Sequence, residues 1–410
     1  MPYHQIIHSP HPISRVPKEK CREYVEGLDP INNRPILDEI IEGLTRPLTE
    51  EQKRARIEER PIPRLLGPDS DENLQKYFIE NQMTDYLPII LPTEERVAAI
   101  LKGTSHKPDE IVGELRSAYQ SLSFTVEKVA ANAVMAGAKP EHLPVILAMA
   151  ASGISAISSS TQSFARMIVV NGPIRNEINM NSGCGAMSPF NLSNAVIGRA
   201  ATLIGLNLGA GGVPNLTYWG SQGNNINYNH VTFAENEEDL PSGWKPFHVQ
   251  RGFKPTDSVV SFFHGYSIWH WKNTYEKEKN KAILHMASWV LPSGGYRSGF
   301  GLLLDPIVAD DLVREGFPTK ESLSEYVYKN TLLTLEEFWQ YHLVEGFSLP
   351  AGQKGIEPFA SWLKKPQGTL INRYLTPEEI SVLVVGGRTN DFWQAGDWRP
   401  MGSYSIDKWR

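Results

Sequence analysis

The sequence predicts an α/β (or α+β) protein: a mostly helical N-terminal half followed by a C-terminal parallel-strand unit. Two observations carry that expectation. In the first half apolar residues recur at helical spacing, and LPVILAMAASG (143–153) is apolar all round, as a buried helix is. Near the end, ISVLVVGGRTN (380–390) is a β-branched run closing on two glycines, the pattern of a parallel strand feeding a ligand-side loop. With 410 residues the chain makes two or three domains, or one elaborated one. The expected division is a Pro-rich, partly helical arm over 1–104, a core with a polar Gly/Asn-rich site over 105–304, and an α/β unit over 305–410.

In the arm, prolines such as Pro30, Pro47 and Pro63 halt helices and central strands. ILDEIIEGL (36–44) has helical spacing, and Thr49 is the expected N-cap of a charged helix. Such an arm is too apolar to float free and is expected to wrap the body or a neighbouring subunit. A helix starts at Thr93 and stops at Gly103. A long helix is expected over 108–138, with a break in its middle left open, and Gly137 and Pro140 end it. RMIVVN (166–171) reads as a strand, and a long helix follows Pro189. A strand is expected at 258–263, and AILHMASWV (282–290) and GFGLLLDP (299–306) read as buried strands. Asp305 or Pro306 opens a helix stopped by Gly316, and a further helical region covers 319–344.

Composition excludes several classes. With 41% hydrophobic and 21% charged residues, global disorder is excluded. A net charge of −6 argues against a nucleic-acid partner, which would want a basic face. Two cysteines, Cys21 and Cys184, make neither a disulfide scaffold nor a four-thiolate zinc site. The N-terminus has no basic-then-apolar signal pattern, and the longest apolar run is shorter than a membrane helix needs, so a cytoplasmic protein with no membrane partner is expected.

The chemistry-bearing residues concentrate between 158 and 238. Ser159, Ser160, Thr161 and Gln162 form a hydroxyl and amide cluster suited to a polar ligand or to an ordinary turn. Arg175, just past RMIVVN, suits a bidentate clamp on a carboxylate or phosphate; a surface ion pair is the alternative. Asn181, Ser182 and Cys184 lie in a glycine-flanked loop near a helix start, which makes the thiol a candidate nucleophile or a small buried filler. Trp219, Asn224 and Asn225 belong to the densest polar group. His230 with Glu235 or Glu237 is a candidate base and its orienter, or a pair of metal ligands. His248 and Arg251 in a following loop complete the candidate substrate contacts. His264 and His270, flanked by aromatics, read as packed histidines or as ligands sharing a strand face.

Several of these stretches together resemble a known group. GTSHKPDEIVG, FTVEKVAANAVMAGAKPEHLPVILA, the SSST run, VVNGPIRNEINMNSG, GSQGNN, VTFAENEE, FHVQRGF and VLVVGG are similar to segments of the bacterial UGSC-motif (seleno)proteins and their relatives. The resemblance spans about residues 105 to 390. The motif that names the group, selenocysteine or cysteine followed by Gly-Ser-Cys, is absent, since neither cysteine precedes Gly-Ser-Cys. The resemblance implies that the Asn/Gly/Glu-rich stretches form a shared site in an α/β body.

The expected function is an enzyme acting on a small polar or anionic organic molecule by acid–base chemistry, of hydratase, lyase or hydrolase type. The rivals are a non-catalytic metabolite-binding protein and a metal-dependent redox enzyme. VVGGRTN lacks G-x-G-x-x-G spacing, so no large organic cofactor is supported, and a metal ion is left open. A homo-oligomer is expected from the arm and the apolar helices.

Overall fold

A computed structural model describes residues 10, 17–47, 64–116, 121–158, 160–209, 211–215, 217–271, 278–293 and 298–410. It divides into two compact units, residues 1–69 and 70–410. In the smaller unit, α1 (Lys18–Glu26) and α2 (Ile36–Thr45) form a helical hairpin. Asp29 closes its turn by accepting from the backbone N–H groups of Ile31 and Asn32. The helix expected at Thr49 lies outside the described residues. Contacts assign residues 70–104, expected as part of the arm, to the larger unit.

That unit opens with α3 (Asp71–Glu80) and α4 (Glu94–Ile100), capped by the hydroxyls of Ser70 and Thr93. The helix expected over 108–138 forms only in its second half. β1 (Ile111–Arg116) and β2 (Ser121–Thr125) make an antiparallel hairpin instead. The reason is local: Thr125 accepts from the backbone N–H of Lys128, so its cap starts α5 at Val126, and Gly137 in the left-handed region ends it after Ala136. α6 (Leu143–Ala151) is buried along nearly its whole length, as its all-round apolar character predicts.

β3 (Ala165–Asn171) runs parallel to β4 (Val231–Ala234) and antiparallel to β5 (Val259–Gly265), which pairs with β12 (Arg399–Ser405). A second four-stranded sheet has the order β10 (Ile380–Val384), β7 (Phe300–Leu304), β11 (Trp393–Gly396), β6 (Ile268–Trp271), with β10 and β7 parallel. Between strands the chain adds α7 (Ile174–Glu177), α8 (Leu192–Asn207), α9 (Phe247–Gln250), α10 (Lys279–Ala287), α11 (Pro306–Arg314) and α12 (Lys320–Asn330).

Strand alternation shows how these parts stack. Ile168 and Val170 of β3 point into a core shared with α5, α6 and α8, whereas Met167 and Val169 point into another shared with Leu303 and Leu383 of the second sheet. Leu302, Leu304, Val382 and Val384 face a third core with α10, α11 and α12. The result is four layers: helices, sheet, sheet, helices. Each central strand is buried on both faces, which is why it reads as a continuous apolar run.

AILHMASWV, expected as a strand, is mostly α10. Its buried residues Ala282, Ile283, Met286 and Ala287 share one helical face, and a short apolar run does not separate the two readings. The helical region expected over 319–344 breaks after α12. β8 (Leu332–Thr334) intervenes, pairing with β9 (Leu370–Asn372), and Thr334 then caps a new helix in a capping box with Glu337. Among the described residues no helix is long and apolar enough to cross a membrane.

Candidate functional site

The residues singled out in the sequence fall at the two ends of β3, about 20 Å apart for a seven-residue strand. At its amino end Ser160 accepts from the Gln162 N–H, and the Thr161 carbonyl accepts from Ser221 N. The Tyr266 hydroxyl donates to the Gln162 side chain. Asn224 donates to the Ser163 and Tyr266 carbonyls and caps the short turn that begins at Asn225. Trp219 is partly exposed beside them. These groups satisfy one another as turn partners do. Ser159 lies outside the described residues.

His230 also belongs to this end. Its φ of 55° lies in the left-handed region. Nδ1 accepts from the Arg166 N–H at 3.3 Å, and Nε2 meets the Thr202 hydroxyl at 3.3 Å. Burial first, then the nearby Arg166 charge, pushes its pKa down to about 3, so the ring is neutral. β4 separates it from Glu235, so His230 does not meet the two glutamates with which the sequence paired it. His264 is likewise neutral, pushed down to about 3 by burial and Arg166, and its ring packs on Phe164. It lies on β5 and His270 on β6, in different sheets, so the two share no strand face.

At the carboxyl end a charged cluster gathers where β3, β4 and β10 finish. Glu235 N bonds to the Val170 carbonyl and Asn236 N to the Val384 carbonyl, so the end of β4 joins the two sheets. The Glu235 carboxylate is fully buried. Its Oε1 accepts from Lys320 Nζ at 2.5 Å and Val384 N at 3.3 Å, and Oε2 from Asn171 Nδ2 at 2.8 Å and Phe247 N at 2.7 Å. A carboxylate has about four acceptor positions, and all of them are used here. Glu235 is therefore a structural pin with no lone pair left for a substrate.

Glu237, two residues on, is placed differently. Gly172 N at 2.8 Å and Asn171 Nδ2 at 3.0 Å donate to Oε1, and Arg175 Nε lies 3.1 Å from it. Oε2 receives no hydrogen bond from a described residue, and the side chain is 13% exposed. Gly172 makes this approach by its lack of a side chain. Its φ is 84°, and a Cβ there would lie 2.1 Å from the Asp257 carbonyl. His248 stands behind Glu237, fully buried, with Nδ1 3.9 Å from Oε1. Neither ring nitrogen has a hydrogen-bond partner among the described residues.

Arg175 is committed within the cluster. Its NH1 and NH2 hold Glu238 at 3.0 and 2.9 Å, and NH1 also donates to the Glu235 carbonyl. The Arg175 bond leads the causes that hold the Glu238 carboxyl down at about 2. The guanidinium thus braces the acidic loop from within, and this pair takes the place of the expected clamp on a ligand.

Asn181, Ser182 and Cys184 reach the same end through the glycines after β10. Gly386 N bonds to the Ser182 carbonyl, and Asn181 Nδ2 to the Cys184 carbonyl. A Cβ at Gly387 would meet Cys184 Sγ at 2.2 Å. Cys184 is exposed, so it is no buried filler, and α8 starts only at Leu192, capped by Asn191, so Cys184 lies outside that helix's first turn. Arg251 stacks over the Phe247 ring, 4.7 Å from its centroid.

Sequence reasoning passed over Lys320 and Asn171. Lys320 opens α12 behind its Thr319 cap, where a lysine ordinarily points to water; nothing local marks it as buried. Asn171 carried a signal, as the last residue of a strand followed by a glycine. Among the described residues no group of three or more His, Cys, Asp or Glu side chains is arranged to hold a metal ion. No protein-family model matches the chain, and no curated protein matches it.

Proposed function

We propose that the chain is an enzyme that moves a proton on a small polar organic molecule, of hydratase, lyase or hydrolase type. Glu237 gives or takes the proton, and His248 acts through Glu237 as its positioning residue. The observation that carries this reading is His248. A buried imidazole with neither nitrogen bonded costs about 1–3 kcal/mol, and stability alone gives no reason to keep it. Its 3.9 Å gap to Glu237 is one small shift from a hydrogen bond. Catalytic hydrogen bonds are often long before substrate binds and tighten in the complex.

Position supports the same reading. In α/β folds ligands sit beyond the carboxyl ends of parallel strands, where Glu237, Gly386 and Cys184 lie. VVNGPIRNEINMNSG, VTFAENEE and FHVQRGF, which resemble segments of the UGSC-motif group, supply Asn171, Glu235, Glu237 and His248. Arg175 is held by Glu238, which favours a polar over an anionic reacting group at this end.

The test is incubation of the protein in D2O with a panel of hydroxy acids, enoates, esters and amides, followed by NMR. Proton chemistry at carbon leaves solvent deuterium in recovered substrate or product, and hydrolysis shows as new signals. Turnover or exchange of a panel member supports the reading. Saturable binding with neither favours the metabolite-binding protein instead.

A further inference from the structure

A second feature lies away from the Glu237 end. Beside the first half of β10 a cleft of about 250 Å³ opens between α9 and α12. Neither Glu237 nor His248 lines it. Arg251 does, and its Nε is buried without a hydrogen-bond partner among the described residues. Burial lowers the pKa of this guanidinium, as expected for a cation short of a counter-ion; Glu378 offsets this in part. Ser381 also lines the cleft, 2% exposed, and its hydroxyl has no partner among the described residues. Two unmatched groups in one cleft, a guanidinium N–H and a hydroxyl, are suited to a carboxylate.

The rest of the lining restricts the ligand further. Glu321, Glu325 and Glu378 border the same cleft; Glu325 also pairs with Lys329 at 2.7 Å and Glu321 accepts from Gln250 at 3.0 Å, so Glu378 is the carboxylate with no side-chain partner across the cleft among the described residues. Glu321 and Glu378, which have no cation paired to them among the described residues, disfavour a simple anion, and a simple amine leaves Arg251 and Ser381 unmatched. A ligand carrying both charges suits both sides of the cleft. Phe247, already under the guanidinium, gives an apolar surface for its carbon skeleton. The volume lies below the range of drug-sized sites and fits a single small molecule.

We propose that this cleft binds a small zwitterion of the free amino acid class. Its carboxylate meets Arg251 and Ser381, and its ammonium meets the glutamate rim. The site is separate from the one assigned to proton transfer and stands whether or not that reading holds.

The test is titration calorimetry of the full chain with each of the twenty L-amino acids. For any that binds, the matching des-amino acid and decarboxylated amine are titrated as well. The expected result is one or more amino acids with Kd below about 1 mM, weakened at least about tenfold by Arg251→Met and by loss of either charged group of the ligand. Ser381→Ala removes one hydroxyl, is safe for folding, and is expected to weaken binding several-fold. Glu237→Gln is expected to leave binding unchanged, which separates this site from the other. Absence of binding by all twenty overturns the proposal. So does equal affinity in Arg251→Met and Ser381→Ala, or equal affinity for the des-amino acid.

Discussion

Replacing Lys320 with Met leaves the Glu235 carboxylate buried without its cation. Both side chains are fully buried, and Nζ lies 2.5 Å from Oε1. Methionine retains most of the apolar stem, so the cavity term is small and the loss is electrostatic. Three neutral donors remain on the carboxylate, from Asn171, Phe247 and Val384. Removing one partner of such a pair costs about 3–5 kcal/mol. Replacing both, as Glu235→Gln with Lys320→Met, removes the stranded charge, and the loss is expected to fall to about 0–2 kcal/mol. The two substitutions are thus expected to couple favourably by at least about 2 kcal/mol. Urea unfolding of the four proteins, followed by tryptophan fluorescence, measures this. A Lys320→Met cost under about 1 kcal/mol, or single costs that add in the double variant, would refute the role of Glu235 as a charged pin.

Three further outcomes are expected. Gly172→Ala forces a Cβ into the Asp257 carbonyl at a φ of 84°, so a loss above the roughly 1–2 kcal/mol of a left-handed backbone is expected in urea unfolding. An alanine there that costs nothing would mean the turn is not held as described. His230 has a folded pKa of about 3 against about 6.5 unfolded, so below pH 6.5 the unfolded chain takes up a proton that the folded chain does not. Its contribution is complete above pH 6.5 and falls by up to about 1.4 kcal/mol per pH unit toward pH 3. His230→Asn keeps a residue tolerant of positive φ, and between pH 6 and 4 its stability should fall less steeply than the wild type's by about that amount. Parallel curves would show that His230 is protonated in the folded chain. Arg175→Met frees the Glu238 carboxyl, which should then titrate upward from about 2 toward the ordinary carboxylate range, readable by carbon-detected NMR.

Much of the scaffold is legible in the chain. RMIVVN, GFGLLLDP and ISVLVVGG form strands because strands buried on both faces need unbroken apolar runs. Thr93 caps its helix, and the all-round apolar segment at 143–153 forms the buried α6. AILHMASWV shows the limit, since a run of that length suits either state. The candidate cluster is legible in residue type and hidden in geometry. His230 precedes VTFA and Glu235 follows it, so reading VTFA as a strand already sets the two at opposite ends. The same rule sends Ser160 and Thr161 to the amino end of β3 and Arg175 to the carboxyl end. Lys320, 85 residues from Glu235, leaves no local trace, because only the packing of α12 on β10 brings it inside.

The most direct measurement is the exchange or turnover rate, in D2O, of any responsive panel member with the wild type, Glu237→Gln and His248→Asn. A loss of about 10²-fold or more is expected for Glu237→Gln, the typical range for a general acid or base. A smaller loss is expected for His248→Asn, with a shifted pH profile and an unchanged KM. A Glu237→Gln protein that folds as the wild type does and retains its rate within a few-fold would contradict that role for Glu237.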